Sequence, residues 1–186
     1  GRDLAAARGT CDVRIYSAAV VDPSFDARFS ALGRSYAYRV SDRPEPLGRW
    51  DRLWVEESLD EAAMNEAGAG LLGEHDFLGF CRPREGATTI RTLRTLSAER
   101  ASDGTLVFRV EADAFCHSMV RSLVGALLLV GSGARDTDYP TQILRARSRS
   151  EAAPIAPAHG LTLEGVEYPD PSQWGARAEQ ARARRD

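Results

Sequence analysis

Two tyrosines and one arginine alternate along a segment that is rich in strand-forming residues. Arg34, Tyr36 and Tyr38 are each separated by one residue, so in a strand without a bulge their side chains lie on one face. Such a face can stack a nucleic-acid base on the tyrosine rings and hold its phosphate with the arginine. The alternative is that both tyrosines are half-buried sheet residues, as aromatic residues often are. The spacing alone favours this alternative.

A second group of candidate residues lies near the start of the most strongly apolar helix pattern in the chain. Asp113, His117 and Arg121 are spaced four residues apart, which places them on one stripe of that helix or of its entry. Arg121 is flanked by apolar residues, so we expect its guanidinium to lie at the edge of the core and to need an anionic partner. That partner is either a group of a functional site or an internal carboxylate, Asp113 or Glu111. His117 likewise has two interpretations, a site residue or an ordinary residue at a helix start.

Arginine supplies every basic side chain, because the chain has 24 basic residues and none of them is lysine. One explanation is a GC-rich genome, which replaces lysine codons by arginine codons. The other is a functional need for the planar guanidinium, which binds phosphate in a bidentate manner. Arginines are concentrated in two local clusters. The first consists of Arg82, Arg84, Arg91, Arg94 and Arg100, and the second of Arg145, Arg147 and Arg149. Such clusters are usually solvated faces, but beside an open sheet they also favour contact with a phosphate backbone.

Composition excludes several classes of protein. The 186 residues are 43% hydrophobic and 27% charged, with a formal net charge of −3, which is too apolar and too weakly charged for a disordered chain. No apolar run reaches the roughly 18 residues that a membrane helix needs. Cys11, Cys81 and Cys116 form an odd set without CxxC spacing, so we predict neither a disulfide framework nor a metal site.

Hydrophobic periodicity predicts the elements that must position these residues. Ser58 to Glu61 has the pattern of a capping box at a helix start, and Asp103-Gly104 marks a hairpin. In chain order we predict strands at 12–21 and 25–40, a helix from 58 to a stop at Gly73, strands near 88–99 and 106–111, a helix from 115 to Gly131 or Gly133, a short helix around 141–146, a strand at 161–168, and a tail from 169 that frays or forms a loose helix.

This order is strand, helix, strand, strand, helix and strand, with an extra strand in front. It is the split βαβ pattern of ferredoxin-like folds. We therefore predict an α+β two-layer sandwich in which an antiparallel sheet carries its helices on one face. The other face is then open to a ligand, as it is in RNA-recognition modules. The fold by itself leaves the function undecided.

Five short blocks along the chain form a longer pattern. They are Phe25–Ala31 with Arg34 to Arg39, Leu72–Phe77 with Phe80, Thr92 with Arg94, Ala112–Arg121 with Gly125, and Ala156–Leu161 with Val166–Pro169. In this order, from about Asp12 to Pro169, they resemble the motifs of tRNA pseudouridine synthase A, the TruA family. One block alone has little specificity, whereas five ordered blocks are highly specific. The family's usual histidine after His117 is Ser118 here, so we assign that position no role.

The resemblance implies an isomerisation without a cofactor. In this family an aspartate opens the N-glycosidic bond of a uridine, the detached uracil turns, and its C5 rejoins the ribose, so the base must leave its stack and lose a proton. Tyr36 matches the tyrosine at the target base, and Arg121 matches the arginine that pairs with the aspartate and keeps it ionised. Further candidates for lining the cleft or contacting RNA are Arg28, Arg34, Tyr38 and His117, and candidate contacts to the RNA backbone are Arg82, Arg84, Arg91 and Arg94.

The family's nucleophilic aspartate belongs to a Gly-Arg-Thr-Asp-x-Gly-Val-His motif in an N-terminal domain, and this sequence has no such stretch. We therefore interpret the chain as the C-terminal portion of such an enzyme and expect it to be inactive alone. The expected divisions are an N-terminal edge segment at 1–24, a synthase domain at 25–169 and a polar tail at 170–186.

The leading hypothesis is conversion of uridine to pseudouridine in the anticodon stem–loop of tRNA, at tRNA positions 38–40. The resemblance implies tRNA as the partner, a homodimer, a cytoplasmic location, and no cofactor, metal or membrane. The alternative is a non-catalytic RNA-binding module of the RNA-recognition type, which uses the open sheet face.

Overall fold

The described residues form an open sheet of six strands together with four α-helices. The computed structural model describes residues 14–82, 84, 86, 88–148 and 154–183. The elements in chain order are β1 (Gly33–Ser41), β2 (Leu53–Trp54), α1 (Glu61–Ala69), β3 (Gly73–Asp76), β4 (Ile90–Arg100), β5 (Leu106–Ala112), α2 (Met119–Gly131), α3 (Tyr139–Ala146), β6 (Leu161–Glu167) and α4 (Trp174–Ala183).

Strand order confirms the predicted ferredoxin-like fold. β1 lies between β5 and β6 and pairs with both in the antiparallel sense, and β4 and β5 form the hairpin marked by Asp103-Gly104. β3 extends the sheet beyond β4, and the short β2 runs parallel to the end of β1. The result is the α+β sandwich with split βαβ topology that the order of elements predicts.

The core lies between the sheet and the helices α1 and α2. Leu123 and Leu127 of α2, Met64 of α1, and Leu106 and Phe108 of β5 are all fully buried there. These apolar residues recur at the three-to-four spacing of one helix face and at the alternate positions of one strand face, which is why the sequence packs as two layers.

The first predicted strand is wrong over the part that the structure describes. Residues 14–21 form no strand and are exposed, and 12–13 lie outside the described residues. The second predicted strand begins only at Gly33, because the preceding segment is turned back at Asp26. The Asp26 carboxylate accepts hydrogen bonds from the backbone N–H groups of Arg28 at 2.8 Å and Phe29 at 2.9 Å. This local turn outweighs the strand preference of the surrounding side chains.

Helix boundaries also differ from the predicted ones. The N-cap of α1 is Asp60, whose carboxylate accepts from the Ala63 N–H at 3.0 Å, so the capping box predicted from Ser58 is wrong. α1 ends before Gly70, and Gly73 begins β3, a strand that the sequence pattern missed. The β3 sequence is short and polar, and pairing with β4 rather than its own composition makes it a strand.

The described part of the polar tail forms the helix α4, which packs on the turn segment before β1. The Ser30 hydroxyl donates to the Trp174 carbonyl at 3.0 Å, and Arg182 pairs with Asp26 at 2.9 Å. The rings of Phe25 and Trp174 lie 4.7 Å apart. The structure therefore confirms a helix in the tail over residues 174–183, and these contacts show it packed against the body rather than loose.

Candidate active site

A cavity of about 340 Å³ opens beside Tyr36, and we call it the tyrosine cleft. Its described lining residues are Arg28, Tyr36, Arg82, Arg84, Thr88, Thr89, Arg91, Phe115, Cys116, His117 and Ser118. The structure thus brings six of the predicted site residues together, although their positions in the sequence are widely separated. The described lining contains four arginines and no carboxylate, so the cleft attracts anions.

Tyr36 is held in the cleft by its strand and by one aromatic neighbour. It lies on β1 between Val110 of β5 and Leu163 of β6, and the pairing with β6 contains an irregularity at Ser35 and Tyr36. A bulge of this kind changes the direction in which a side chain points. The Phe115 ring contacts Tyr36 edge to face, with centroids 5.2 Å apart. Within the described part of the chain the Tyr36 hydroxyl makes no hydrogen bond, which leaves it free to contact a ligand.

Tyr38 is a core residue rather than a surface residue. Its exposed fraction is 0%, and its hydroxyl donates to the Pro157 carbonyl at 2.7 Å. Burial raises the pKa of Tyr38 to about 12, against a smaller opposing effect of the Arg121 charge. Tyr38 therefore has no surface with which to contact RNA directly.

The two tyrosines face the helices and not the open side of the sheet. Tyr36 and Tyr38 pair across β5 with Val110 and Phe108, which belong to the core. A module that stacks bases on the open sheet face would need these rings on the opposite side. The placement therefore removes the residues that motivated the RNA-recognition alternative.

Arg121 lies on α2 and is held by a chain segment that crosses the helix. Its Nε donates to the Ala156 carbonyl, and the Ala156 N–H donates to the Arg121 carbonyl at 3.1 Å. Gly125, one turn further along α2, allows this close approach, because a Cβ there would overlap the Pro154 carbonyl oxygen. Residues 154–157, which we call the crossing segment, thus fix the direction of the Arg121 side chain.

Neither predicted internal partner pairs with Arg121. The Glu111 carboxylate accepts from the Thr95 hydroxyl at 3.1 Å, and the Asp113 carboxylate accepts from the backbone N–H groups of Thr92 and Ala114 at 2.9 and 2.7 Å. Among the residues that the structure describes, no carboxylate forms an ion pair with Arg121. A half-buried guanidinium without an anionic partner is costly, so Arg121 is a ready site for an anion. It lies beside Tyr38 and is not part of the wall of the tyrosine cleft.

The predicted helical stripe of Asp113, His117 and Arg121 is wrong because α2 begins only at Met119. Ser118 has a φ of +67°, in the left-handed region, which interrupts the helical path before α2. Asp113 and His117 therefore precede the helix, and His117 lines the cleft from a loop. The same irregular stretch carries Phe115 to Tyr36, a contact that the apolar helix pattern does not predict.

The two loops that carry Arg82 and His117 lie next to each other and both line the cleft. The Arg82 N–H donates to the His117 carbonyl at 3.0 Å. Cys81 and Cys116 lie side by side, with Cα atoms 5.6 Å apart, a separation at which two cysteines can be linked. The sequence pattern does not predict this proximity, because residues 35 positions apart in sequence meet only in the folded chain. Cys11 lies outside the described residues.

Arg34 and Arg94 are occupied by internal contacts. Arg34 donates to the carbonyls of Asp113 at 3.2 Å and Arg28 at 2.8 Å. Arg94 pairs with Glu167 and donates to the Leu32 carbonyl, both at 2.9 Å. Both arginines therefore anchor the segment that leads into β1 and lie outside the tyrosine cleft.

The second arginine cluster is separate from this site. Arg145 and Arg147 line an open cavity beside His75, and Arg149 lies outside the described residues. In the described part of the chain no three histidine, cysteine or acidic side chains are placed to hold a metal ion. None of the described helices has both the length and the apolar character needed to cross a membrane.

Comparison with known proteins gives one consistent result. A family model described as tRNA pseudouridine synthase matches residues 67–169. Similar curated proteins, each named tRNA pseudouridine synthase A, come from Frankia casuarinae, with 54% identity over 92% of this chain, and from Streptomyces griseus, with 51% identity over 95%. A relative from Streptomyces avermitilis is 51% identical over 94% of this chain. The chain spans 64% of the length of the first two relatives and 62% of the third.

Proposed function

The chain belongs to the tRNA pseudouridine synthase family, and from this premise we propose that it forms the cleft of an enzyme that isomerises uridine in tRNA. The observation that carries the proposal is the combination of Tyr36 in an arginine-lined cleft with Arg121, which has no carboxylate partner among the described residues. The first arrangement suits a nucleotide, and the second suits a catalytic carboxylate.

Arg121 would pair with the nucleophilic aspartate of the family's Gly-Arg-Thr-Asp motif, which this sequence does not contain. A guanidinium beside a carboxylate lowers the carboxylate pKa and keeps it ionised at neutral pH. The planar fork of Arg121 also restricts the carboxylate to one orientation, because both oxygens can be bound at once. The crossing segment contributes by preventing Arg121 from turning toward solvent.

Tyr36 would hold the uracil while it is detached from the ribose. In the isomerisation the N1–C1′ bond breaks, a C5–C1′ bond forms, the C5 proton leaves and N1 regains a proton, so no electron acceptor is required. Stacking on a tyrosine contributes about 1–3 kcal/mol per base. The Tyr36 hydroxyl has no partner among the described residues and is available to assist the removal of the C5 proton.

The arginines of the cleft would bind the phosphates that flank the extruded base. Arg28, Arg82, Arg84 and Arg91 come from two separate segments but line one cavity. Extrusion of a base costs a few kcal/mol in lost stacking, and contacts to the neighbouring phosphates offset this cost. His117 lies on the same wall as Cys116 and is available for contact with the base or ribose.

The proposal includes three finer statements that are supported by the family resemblance. The target is the anticodon stem–loop of tRNA, the active protein is a homodimer, and it acts in the cytoplasm, where its substrate is found. Light scattering of the purified protein tests the dimer, and mapping of pseudouridine in reacted tRNA tests the target position.

The test of the function is pseudouridine formation in unmodified tRNA, measured by mass spectrometry of the nucleosides. We expect the product of the complete gene to form pseudouridine, and the 186-residue chain alone to form none because it has no nucleophilic aspartate motif. Turnover by the 186-residue chain, or no turnover by the complete product, would contradict the proposal.

A further inference from the structure

A second cavity, of about 300 Å³, lies between α4 and the turn segment before β1, and we call it the α4 pocket. Its charged lining residues are Arg28, Arg34, Arg91 and Arg177, with Glu74 and Asp113. Arg28 and Arg91 also line the tyrosine cleft. The two cavities are therefore adjacent and have two lining residues in common.

Two of these charged groups have their hydrogen-bonding atoms occupied by backbone contacts. The Asp113 carboxylate is bound by two N–H groups, and the Arg34 guanidinium donates to two carbonyls. The Arg28 guanidinium lies 5.3 Å from the centre of the Phe29 ring and pairs with no described carboxylate. Arg28 and Arg177 are therefore two cations of the pocket that can receive an anion.

Arg177 is placed in the pocket by a helix that is fixed at several points. Arg182 on the same helix pairs with Asp26, and Trp174 accepts a hydrogen bond from Ser30. The Arg177 Nε atom is buried and has no hydrogen-bond partner in the described part of the chain, while its Nη1 donates to Gln180 at 3.3 Å. Burial of a charged donor without a partner is unfavourable, so an anion in the pocket would relieve this cost.

We propose that the α4 pocket binds a backbone phosphate of the tRNA substrate next to the nucleotide held at Tyr36, with Arg177 and Arg28 as its ligands. The inference rests on the proposed function. A phosphodiester fits because Arg28 faces both cavities, and a nucleotide in one cavity places its neighbouring phosphate toward the other. Arg177 lies beyond residues 67–169, the range that the family model matches.

The test compares binding of a labelled anticodon stem–loop RNA by the complete gene product and by its Arg177→Gln variant, over a series of salt concentrations. Loss of one phosphate contact should reduce the slope of log Kd against log salt by about 0.7–0.9. Affinity at low salt should fall about five- to tenfold. Thermal unfolding should be nearly unchanged, because the only described hydrogen bond of the Arg177 side chain is to the exposed Gln180.

Arg109→Gln is the matched control, because it removes the same charge from an exposed position on β5 that lines neither cavity. We expect its affinity to stay within about twofold of wild type and its salt slope to be unchanged. An Arg177→Gln protein that behaves like the Arg109→Gln control overturns the α4 pocket, and the proposed function stands if wild type still forms pseudouridine. If Arg177→Gln has the expected effect on RNA binding but the wild-type protein forms no pseudouridine, the proposed function is overturned and the pocket is supported.

Discussion

Replacement of Gly125 by alanine tests whether the crossing segment positions Arg121. A Cβ at this position would overlap the Pro154 carbonyl oxygen and lie 3.0 Å from the Pro154 carbonyl carbon. Both atoms belong to the backbone, so no side-chain rotation relieves the contact. The crossing segment must therefore move away from α2, and with it the carbonyl that holds the Arg121 Nε.

The size of the effect follows from the contacts that this movement breaks. Among the described residues the crossing segment makes three hydrogen bonds, which are Arg121 Nε to the Ala156 carbonyl, the Ala156 N–H to the Arg121 carbonyl, and the Tyr38 hydroxyl to the Pro157 carbonyl. Each contributes about 1 kcal/mol net. Alanine in a helix interior regains about 1 kcal/mol over glycine. We expect a net loss of about 2 kcal/mol, or a fall in Tm of about 4–8 °C for a chain of this size.

The assay is urea and thermal denaturation of Gly125→Ala beside Gly68→Ala. Gly68 also lies in a helix, but a Cβ there would meet its nearest neighbour, Leu96, only at 3.4 Å. We therefore expect Gly68→Ala to be neutral or up to about 1 kcal/mol more stable. If Gly125→Ala proves as stable as wild type, the close contact of the crossing segment with α2 is refuted.

Two further predictions concern interactions that hold the elements in place. The Asp42 carboxylate is 6% exposed and binds Arg100 at 2.8 Å and the Leu59 N–H at 3.3 Å, and these hydrogen bonds hold the pKa of Asp42 below its usual value. Its contribution to stability is therefore full above the unfolded pKa and is lost as pH falls through the lower folded pKa. In Asp42→Asn, urea titrations should give a loss of about 2 kcal/mol at pH 7 and a smaller further loss than wild type on acidification. Asn65→Ala should cost about 2 kcal/mol, because Asn65 donates to and accepts from the Ala98 backbone at 2.8 Å; an unchanged midpoint of urea unfolding would contradict this.

The sequence predicts the fold well where a long apolar pattern matches a long element. α2 and the hairpin of β4 and β5 follow from periodicity and a turn signal, and with β1 and β6 they determine the topology. Short or polar elements follow from their neighbours instead. β3 is a strand because β4 pairs with it, and α4 is ordered because the turn segment at 25–30 receives it.

The sequence supplies candidate residues for the site, whereas their arrangement comes from the structure. The resemblance to the family motifs selects Tyr36 and Arg121 as candidates, yet it does not show that Arg34 is bound by the nearby Arg28 carbonyl and the distant Asp113 carbonyl. It also does not show that Ser118 adopts a left-handed conformation. Such contacts depend on which segments meet in space, and no pattern within one segment encodes them. The sequence also gives no indication of a role for Arg177, because its helix has no apolar stripe that would mark a packed or binding surface.

The role of Arg121 is tested most directly by turnover and tRNA binding measured together in an Arg121→Ala variant of the complete gene product. Loss of the guanidinium should reduce pseudouridine formation more than about a hundredfold, which corresponds to about 3 kcal/mol, and leave the Kd for tRNA within a few-fold of wild type. Arg121→Met, which keeps the packing of the stem, should behave in the same way and shows that the charge is responsible. Normal turnover in either variant would contradict the assignment of Arg121 as the partner of the catalytic carboxylate.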